Sequence, residues 1–560
     1  VVLLGLAVAA VARADDSSGD ARYRRIEDAY VREFLRRNPV ISTYLGGSGL
    51  YPELAAADGA LRDWSPAALA DEARVLRRIR DDLTAIPPAS LSPRRRIDRE
   101  VALHQIAFLL HENEERKYWQ RALDTYVSEA FRGIDWYLQG MADLGSGRYG
   151  TEAEWRGVSA RVGAIPAYLR TARANLEAGL KADNIPDWRM VERNGLRASE
   201  ENAKFFEETL PALAAERTGG QPVTAELKTR GAAAAAAFRD FRSFLERSLA
   251  SLPRRDRFAL GEKEYDWALR NNLNVDTTAA ALFEQAWPVV EKTRAELIAA
   301  ARKVAEKNGL ALAEGVDPGG ATRAVFDFLA RDHPASDDEM VRWYHETALR
   351  LVDFARRTGL FEIPPDYQLD VTVTPPVLES SIDGAAYYPA PPFRRSGVGR
   401  FYVTPTKGDP EKLKQNSRAS IADLAAHEGF PGHDWHYKVM TAFRDVISPV
   451  RWLTPGEVEG SSSMWEDSMA AEGWAHYAEH LMSEPAPGAP DGFYTPEERM
   501  YQLQGQLYRD LRVRIDTGIH TGRLGYDEAV DLFSEVVDFL PGSCRAAGLS
   551  PEKKASCESA

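Results

Sequence analysis

Apolar residues recur at three- and four-residue spacing along most of the first two thirds of the chain, from about Tyr23 to Leu360. This spacing places them on one face of an amphipathic helix. The stretches 96–119, 232–252 and 277–307 show the pattern most clearly, and proline or glycine pairs separate such stretches. The pattern therefore predicts a long helical region over residues 23–360.

The pattern changes between residues 364 and 405. Proline pairs recur along this stretch, and a helix cannot continue through them. Between the prolines, residues 368–374 and 399–404 are rich in β-branched and aromatic side chains, which is typical of short strands. A helical pattern returns over residues 412–540. The sequence therefore predicts a mostly α fold with one small β-sheet inserted before the last group of helices.

The composition and net charge of the chain argue against one class of function, the binding of nucleic acid. The 560 residues carry a net charge of -14, with 44% hydrophobic and 28% charged residues, as in ordinary soluble globular proteins. An acidic protein is a poor match for nucleic acid, whose phosphates are bound by basic surfaces. We therefore expect no nucleic-acid partner.

The first residues have the features of an export signal. Val1 to Ala12 are all apolar, and Ala12 and Ala14 are small residues at the spacing that a signal peptidase reads. The run is shorter than the roughly 20 residues of a membrane span. We expect a signal peptide over 1–14 cleaved after Ala14, a flexible mature N-terminus over 15–22, export to the periplasm or medium, and no stable membrane span. A buried N-terminal helix is the alternative.

Two cysteines, Cys544 and Cys557, lie near the end of the sequence. In an exported protein they could form a disulfide, and whether they pair is left open. Two thiols are too few for a zinc site, so any metal ligands must be histidines and carboxylates.

Six of the ten histidines lie between residues 427 and 520. The string HEGFPGH, from His427 to His433, is a modified form of the zinc-peptidase motif HExxH, in which two histidines bind zinc and the glutamate is the general base. Pro431 occupies the place of the second histidine and cannot continue a helix. We predict that the Gly-Phe-Pro-Gly step breaks the helix and turns His433 toward the metal. Gly429 and Gly432 would permit the backbone angles required, including a positive φ at Gly432.

A catalytic zinc needs three protein ligands and one open position. The string EGWAHYAE, beginning at Glu472 on a predicted helix, offers a third ligand, as in gluzincins, where a glutamate on a second helix completes the site. We predict a zinc site built from His427, His433 and Glu472, with Glu428 beside it. His436 lies one turn beyond His433 and competes with it as the second histidine ligand.

Three strings in order, HEGFPGH, EGWAHYAE and RIDTGIH (514–520), resemble the bacterial domain-of-unknown-function 885 family. The resemblance runs over about residues 23–539. It implies a large helical, gluzincin-like metallopeptidase fold as one domain over 23–540, with a helical part (23–360), a small sheet (364–405) and metal-site helices (412–540).

The chain departs from this family at two places. His436 stands where we expect glutamine in relatives. Relatives also continue with a Pro-Gly-Gln-Ala segment where this chain reads Pro541-Gly542-Ser543. We expect residues 541–560 to form an atypical or truncated tail.

The expected mechanism is water activation. Zinc lowers the pKa of water to about 7, and Glu428 removes the proton. We nominate His520, with Tyr477 behind it, as the donor to the developing oxyanion; the alternative is that His520 caps a turn. Glu479 and Asp516 could orient the ligands as supporting carboxylates.

The leading function is that of an exported zinc metallopeptidase acting on peptide bonds, mainly of short peptides or similar small substrates. The strand at 399–404 could pair with an extended substrate, since an exposed strand edge offers hydrogen bonds to a peptide; the alternative is that it is a scaffold strand. Two alternatives stay open: a zinc amidase or esterase acting on a modified peptide or metabolite, and an inactive helical binding protein that retains zinc. Exopeptidase or endopeptidase mode and oligomeric state are not readable from the sequence.

Overall fold

The computed structural model describes residues 18–141, 149–218, 220, 222–312, 315–364, 367–374, 379, 382, 384–394, 399–453 and 469–540. The predicted signal peptide, residues 15–17 of the predicted mature N-terminus, and the tail at 541–560 with both cysteines lie outside the described residues.

The described chain is mostly helical, as predicted. In chain order the α-helices are α1 Ser18–Arg37, α2 Pro39–Leu45, α3 Gly47–Leu50, α4 Pro66–Thr84, α5 Pro93–Leu110, α6 Leu123–Gln139, α7 Glu152–Ala182, α8 Trp188–Met190, α9 Ala198–Lys204, α10 Leu210–Thr218, α11 Pro222–Ser248, α12 Glu262–Asn271, α13 Ala279–Lys307, α14 Pro318–Leu329, α15 Asp337–Thr358, α16 Pro410–Gln415, α17 Ile421–Glu428, α18 His433–Ala442, α19 Met469–Leu481, α20 Pro496–His520 and α21 Tyr526–Leu532. Short 3-10 segments lie at Pro52–Ala57, Pro88–Ser90, Tyr118–Gln120 and Pro449–Trp452, and π-helical segments at His111–Glu115, Val191–Arg197, Phe205–Thr209 and Phe533–Val537. Among these described helices, none combines the length and apolarity needed to cross a membrane.

The sequence marks the start of the long helices. At α20, the Thr495 side chain accepts from the Glu498 N–H while the Glu498 carboxylate accepts from the Thr495 N–H, which forms a capping box. Pro496 occupies the first turn, where its missing N–H costs no hydrogen bond. The same reciprocal pair, Thr151 and Glu154, begins α7. These caps satisfy backbone donors that the first helical turn leaves without partners.

The sheet has three short strands: β1 Val371–Val373, β2 Ala385–Tyr388 and β3 Arg400–Val403. Their order is β1-β3-β2, with β1 parallel and β2 antiparallel to β3. The two predicted strands contain β1 and β3, whereas β2 was not predicted. The 399–404 strand matches the alternative expectation of a scaffold strand, because β3 is central and pairs on both sides. Among the described strands, β2 lies at an edge of this sheet.

A hydrophobic cluster beneath α17 supports the predicted metal-binding segment. It joins side chains of α15, the sheet and α17, with Tyr344, Phe401 and Phe430 fully buried. The face that α17 presents to this cluster includes Ala422, Ala425 and Ala426. Small side chains allow close approach, so α17 is seated directly on α15 and the sheet.

The segment between α18 and α19 is fastened to the N-terminal helices by buried polar groups. The Glu27 carboxylate of α1 accepts a hydrogen bond from the Ser448 hydroxyl, and Asp98 of α5 accepts one from Arg451 Nε at 2.6 Å. Gln105 of α5 donates to two backbone carbonyls of the same segment, at 3.1 and 3.3 Å. Glu27, Asp98 and Gln105 are all buried. The N-terminal helices therefore hold the connection that leads toward α19.

Candidate metal centre

The predicted helix break is present between His427 and His433. Helix α17 ends at Glu428 and α18 begins at His433, with a cis peptide bond between Phe430 and Pro431 in the turn. The turn brings the His427 and His433 rings to a centroid distance of 4.8 Å, with their planes at 90°. Two histidines that a continuous helix would point apart are therefore neighbours.

Gly432 is required by close approach of the backbone. Its N–H donates to the Ala426 carbonyl at 3.0 Å, so the turn folds back onto the last residues of α17. A Cβ at position 432 would lie only 1.8 Å from the His427 carbonyl oxygen. The expected positive φ is wrong, since φ is -73°. Lack of space, rather than a left-handed conformation, excludes a side chain here.

Glu472 on α19 completes a cluster with the two histidines. Its carboxylate oxygens lie 3.3 Å from His427 Nε2 and 3.6 Å from His433 Nε2. One ligand atom from each of the three residues lies within 4.8 Å of the others. Both histidines are buried, whereas the Glu472 side chain is 58% exposed. The cluster therefore lies at the surface with its imidazole side supported by the core.

His436 does not join this cluster. Its ring lies against Tyr437 and Trp474, with centroid distances of 5.4 and 5.8 Å. Burial, together with nearby His433, lowers the pKa of His436 to about 4. Of the two competing histidines, the structure brings His433 to Glu472.

The three residues fit zinc. A zinc ion with bonds of about 2.0–2.2 Å keeps tetrahedral ligand atoms about 3.3–3.6 Å apart. The contact of Glu472 Oε2 with His427 and that of Glu472 Oε1 with His433 both fall in this range. Closing the widest separation, 4.8 Å, requires a movement of about 1 Å. Two imidazoles and one carboxylate are the ligand set of several catalytic zinc sites, which leave one position open.

Glu428 lies beside the cluster. Its Oε1 is 4.0 Å from His427 Nε2, and its Oε2 accepts a hydrogen bond from the Tyr387 backbone N–H of β2 at 2.8 Å. Burial raises the pKa of Glu428 above its ordinary value, and the charges of His427 and His433 limit that rise. One oxygen of Glu428 is thus hydrogen-bonded to strand β2, and the other lies on the side of His427.

The buried carboxylate of Glu479 and the guanidinium of Arg509 lie behind His427 and fix its orientation. The fully buried Glu479 carboxylate meets His427 Nδ1 at 2.6 Å through Oε1 and His476 Nδ1 at 3.3 Å through Oε2. Arg509 of α20 lies 3.0 Å from the same Oε1. Because Nδ1 is engaged, Nε2 of His427 is left to face Glu472. The supporting role expected for Glu479 agrees with this geometry.

These contacts also set the ionisation of the cluster. Burial alone would lower the pKa of His427, but hydrogen bonds to Glu472 and Glu479 raise it to about 10. Burial works to raise the pKa of Glu479, and its hydrogen bonds with His427 and His476 lower it to about 2. Hydrogen bonds with His427 and His433 hold the pKa of Glu472 far below its usual range.

His520 lies elsewhere. It ends α20, and its Nδ1 accepts a hydrogen bond from the Leu260 N–H at 3.3 Å while its carbonyl accepts from Gly261 at 2.9 Å. At about 1.5 Å per residue, His520 is about 16 Å along the helix axis from Arg509, which reaches the site. The structure therefore does not bring His520 to the cluster, and these contacts match the alternative expectation of a residue that caps a turn.

The contacts of Tyr477 and Asp516 are with residues other than His427, His433 and Glu472. The Tyr477 side chain is 52% exposed, and its ring lies 6.3 Å from that of Trp474. Asp516 accepts a hydrogen bond from the Tyr265 hydroxyl near the end of α20. Within the described part of the chain, neither side chain forms a hydrogen bond or an ion pair with His427, His433 or Glu472.

Three structural supports of the site escaped prediction. They are the Tyr387 N–H that holds Glu428, Arg509, and the Trp474 Nε1–H, which donates to the Pro431 carbonyl at 2.9 Å. The last contact joins α19 to the turn between α17 and α18. Of the three, Trp474 could have been predicted from the sequence, because it lies two residues after Glu472 and a buried tryptophan usually donates its N–H to a nearby acceptor.

Comparison with known proteins gives a fold and a family. No curated protein matches the chain. A "putative lipoprotein of unknown function" from Shewanella oneidensis is 20% identical with a TM-score of 0.68, covering 96% of this chain and 89% of that one. A "putative lipoprotein" from Colwellia psychrerythraea is 15% identical with a TM-score of 0.69, covering 97% and 89%. At these identities the likeness shows a shared fold. The model of a family described as "Bacterial protein of unknown function (DUF885)" matches residues 39–546, and the protein therefore belongs to the DUF885 family.

Proposed function

We propose that the protein is a zinc metallopeptidase of gluzincin type that hydrolyses peptide bonds, mainly of short peptides. The observation that carries the proposal is the cluster of His427, His433 and Glu472, with ligand atoms within 4.8 Å, and Glu428 beside it. Glu428 is a second carboxylate beside the cluster, and because the Tyr387 N–H holds one of its oxygens it is suited to proton transfer rather than to binding the metal.

When bound, zinc would supply a Lewis acid and lower the pKa of a coordinated water to about 7. Glu428 takes a proton from the attacking water as the water oxygen bonds to the substrate carbonyl carbon. It then donates that proton to the amine nitrogen as the C–N bond breaks. A raised pKa brings this carboxylate closer to the working pH, which favours both transfers. The Tyr387 N–H fixes the carboxylate during the exchange.

An edge strand beside the base favours an extended peptide as the substrate. Tyr387 N–H points to Glu428, and Gly384, three residues earlier, accepts from Thr404 across the sheet. The backbone N–H and C=O groups of successive residues in an antiparallel pair point alternately toward and away from the partner strand. Those of Ala385 and Tyr387 therefore point away from β3, where the Tyr387 N–H is already bonded to Glu428. A peptide backbone could add to this edge, with its scissile bond near Glu428. We therefore assign to β2 the pairing with an extended substrate that the sequence suggested for the strand at 399–404.

The zinc amidase or esterase alternative uses the same cluster and base, and differs only in the acyl substrate. An inactive zinc-containing binding protein would have no need of a buried, tethered carboxylate at the position of Glu428, which favours an enzyme. Export is also part of the proposal. It rests on the apolar run at 1–12 and on the two similar structures, both of which are described as putative lipoproteins.

Metal analysis combined with a peptide-library digest tests the proposal. We expect one zinc per chain, cleavage of short peptides, loss of cleavage after chelation, and recovery with added zinc. A parallel panel of amides and esters separates the peptidase from the amidase or esterase. Zinc at one per chain without turnover of any substrate would support the binding protein, and absence of zinc binding would refute all three.

A further inference from the structure

We propose that Arg509 of α20 is a positioning residue for the metal site, and that it holds Glu479 in the orientation that fixes His427. The inference rests on the zinc site of the proposed function, but it does not depend on which bond is hydrolysed. It assigns to α20 an indirect part in metal binding, through Glu479 and His427, although α20 carries none of the three proposed ligands.

One carboxylate oxygen is shared by the ligand and the arginine. Glu479 Oε1 lies 2.6 Å from His427 Nδ1 and 3.0 Å from Arg509 Nη2. The same Nη2 is 3.4 Å from His427 Nδ1, so the three groups form a compact triangle. Any rotation of the Glu479 carboxylate must break its contact with Arg509 as well as its contact with His427.

Arg509 also faces a second buried acid. Asp423 lies one turn before His427 on α17, and it is buried. Asp423 Oδ2 and Arg509 Nη1 lie 2.8 and 3.0 Å from the point where a Cβ on Gly505 would stand. Gly505 therefore leaves open the space in which Asp423 and Arg509 face each other.

Charge balance explains why an arginine is needed. A buried carboxylate is costly unless a cation and hydrogen bonds accompany it. Arg509 forms a direct ion pair with Glu479 through its planar guanidinium fork, and its positive charge also acts on the nearby carboxyl group of Asp423. His476 engages the other oxygen of Glu479, and Arg499 approaches Asp423, but neither takes the place of Arg509 at the oxygen shared with His427. Loss of Arg509 would leave that oxygen free to turn from the ligand.

Zinc affinity, measured by competition with a chromophoric chelator, tests this inference. Arg509→Met should weaken zinc binding about 10- to 100-fold, as supporting residues of metal sites usually do. Arg509→Lys, which keeps the charge without the fork, should recover part of that loss. Arg512→Met is the matched control: Arg512 lies on the same helix, is exposed, and contacts the Tyr508 ring. It should bind zinc like the wild type.

Cobalt substitution adds a readout that a general loss of stability would not move. The visible spectrum of the cobalt form should change in Arg509→Met and return toward the wild-type spectrum in Arg509→Lys, because His427 changes its orientation. Gly505→Ala, which crowds Asp423 and Arg509 and leaves both in place, should weaken zinc in the same direction and serves if Arg509→Met does not fold.

The outcomes separate this inference from the proposed function. If the wild-type protein binds zinc, and Arg509→Met has the same zinc affinity and the same cobalt spectrum as the wild type, the inference on Arg509 is overturned and the proposed function is not. A wild-type protein that binds no zinc overturns the metal site and the inference together. Peptide hydrolysis is not measured here, so a failed peptidase assay would leave the result on Arg509 intact.

Discussion

Gly432→Ala adds one methyl group at the point where the chain folds back onto α17. The new Cβ would lie 1.8 Å from the His427 carbonyl oxygen and 2.4 Å from that of Ala426. Both neighbours are backbone atoms, so no side-chain rotation can relieve the contact. Gly432 directly precedes the ligand His433, and any relief must move the backbone that carries one of the two histidines.

The size of the movement follows from these distances. Real Cβ contacts are essentially never shorter than 3.0 Å, so the two segments must separate by about 1.2 Å. Changes that disturb the support of a metal ligand typically cost about 10- to 100-fold in metal affinity. We therefore expect zinc affinity to fall about 100-fold, at the upper end of this range, and overpacking to cost about 1–3 kcal/mol of stability.

Gly473→Ala is the matched control, because it adds the same methyl group beside the third ligand, Glu472. Apart from its chain neighbours and the backbone of its own helix, no described atom lies within 4 Å of the new Cβ, and alanine favours a helix over glycine by about 1 kcal/mol. Zinc affinity should be unchanged and stability equal or higher. Zinc competition and urea unfolding are measured on both variants. Wild-type zinc affinity in Gly432→Ala would refute the argument from close approach.

Three further predictions concern the base, the second histidine and a buried acid. Glu428→Gln should keep one zinc per chain and lose about 10²- to 10⁴-fold in kcat on a cleaved peptide; an unchanged kcat would rule out Glu428 as the base. Elemental analysis should show zinc lost in His433→Ala and retained in His436→Ala, and the reverse result would reassign the ligand. Burial raises the pKa of the Asp135 carboxyl to about 6. Between about pH 4 and pH 6 the folded protein therefore keeps a proton on Asp135 that the unfolded chain releases, and the free energy of unfolding of the wild type should fall as the pH rises through this range. Asp135→Asn removes this dependence and should gain up to about 3 kcal/mol relative to the wild type between pH 4 and pH 7 in urea unfolding; an equal difference at both pH values would contradict the buried proton.

The sequence predicted those features of the fold that are encoded locally. Helices follow from apolar periodicity, and β1 and β3 from β-branched and aromatic runs between prolines. β2, which reads Ala-Ala-Tyr-Tyr, has no alternation of polar and apolar residues, and its pairing with β3 depends on contacts across the chain. Strand propensity reflects such packing, so a four-residue edge strand carries little signal of its own.

Spacing along the chain accounts for part of the candidate site. His427 and His433 are joined by one short turn, and Glu479 follows Glu472 by two helical turns, so spacing alone could place them. His520 was nominated because it lies in the same histidine-rich region, but a straight 25-residue helix carries it away from the ligands. Arg509 could not be found from spacing, since its partners lie on α17 and α19 and meet it only in the folded chain.

The fastening of residues 448–453 to the first helices has a consequence for how the protein is made. Glu27 and Ser448 are separated by 421 residues, and Asp98 and Arg451 by 353. At a synthesis rate of about 5–20 residues per second, Glu27 emerges about 20–80 s before its partner. Throughout that interval the nascent helices expose carboxylates and apolar side chains whose burial requires a segment still to be translated. The connection toward α19 is therefore among the last parts of the molecule to assemble, and until then the surface of the N-terminal helices that it covers is open to aggregation.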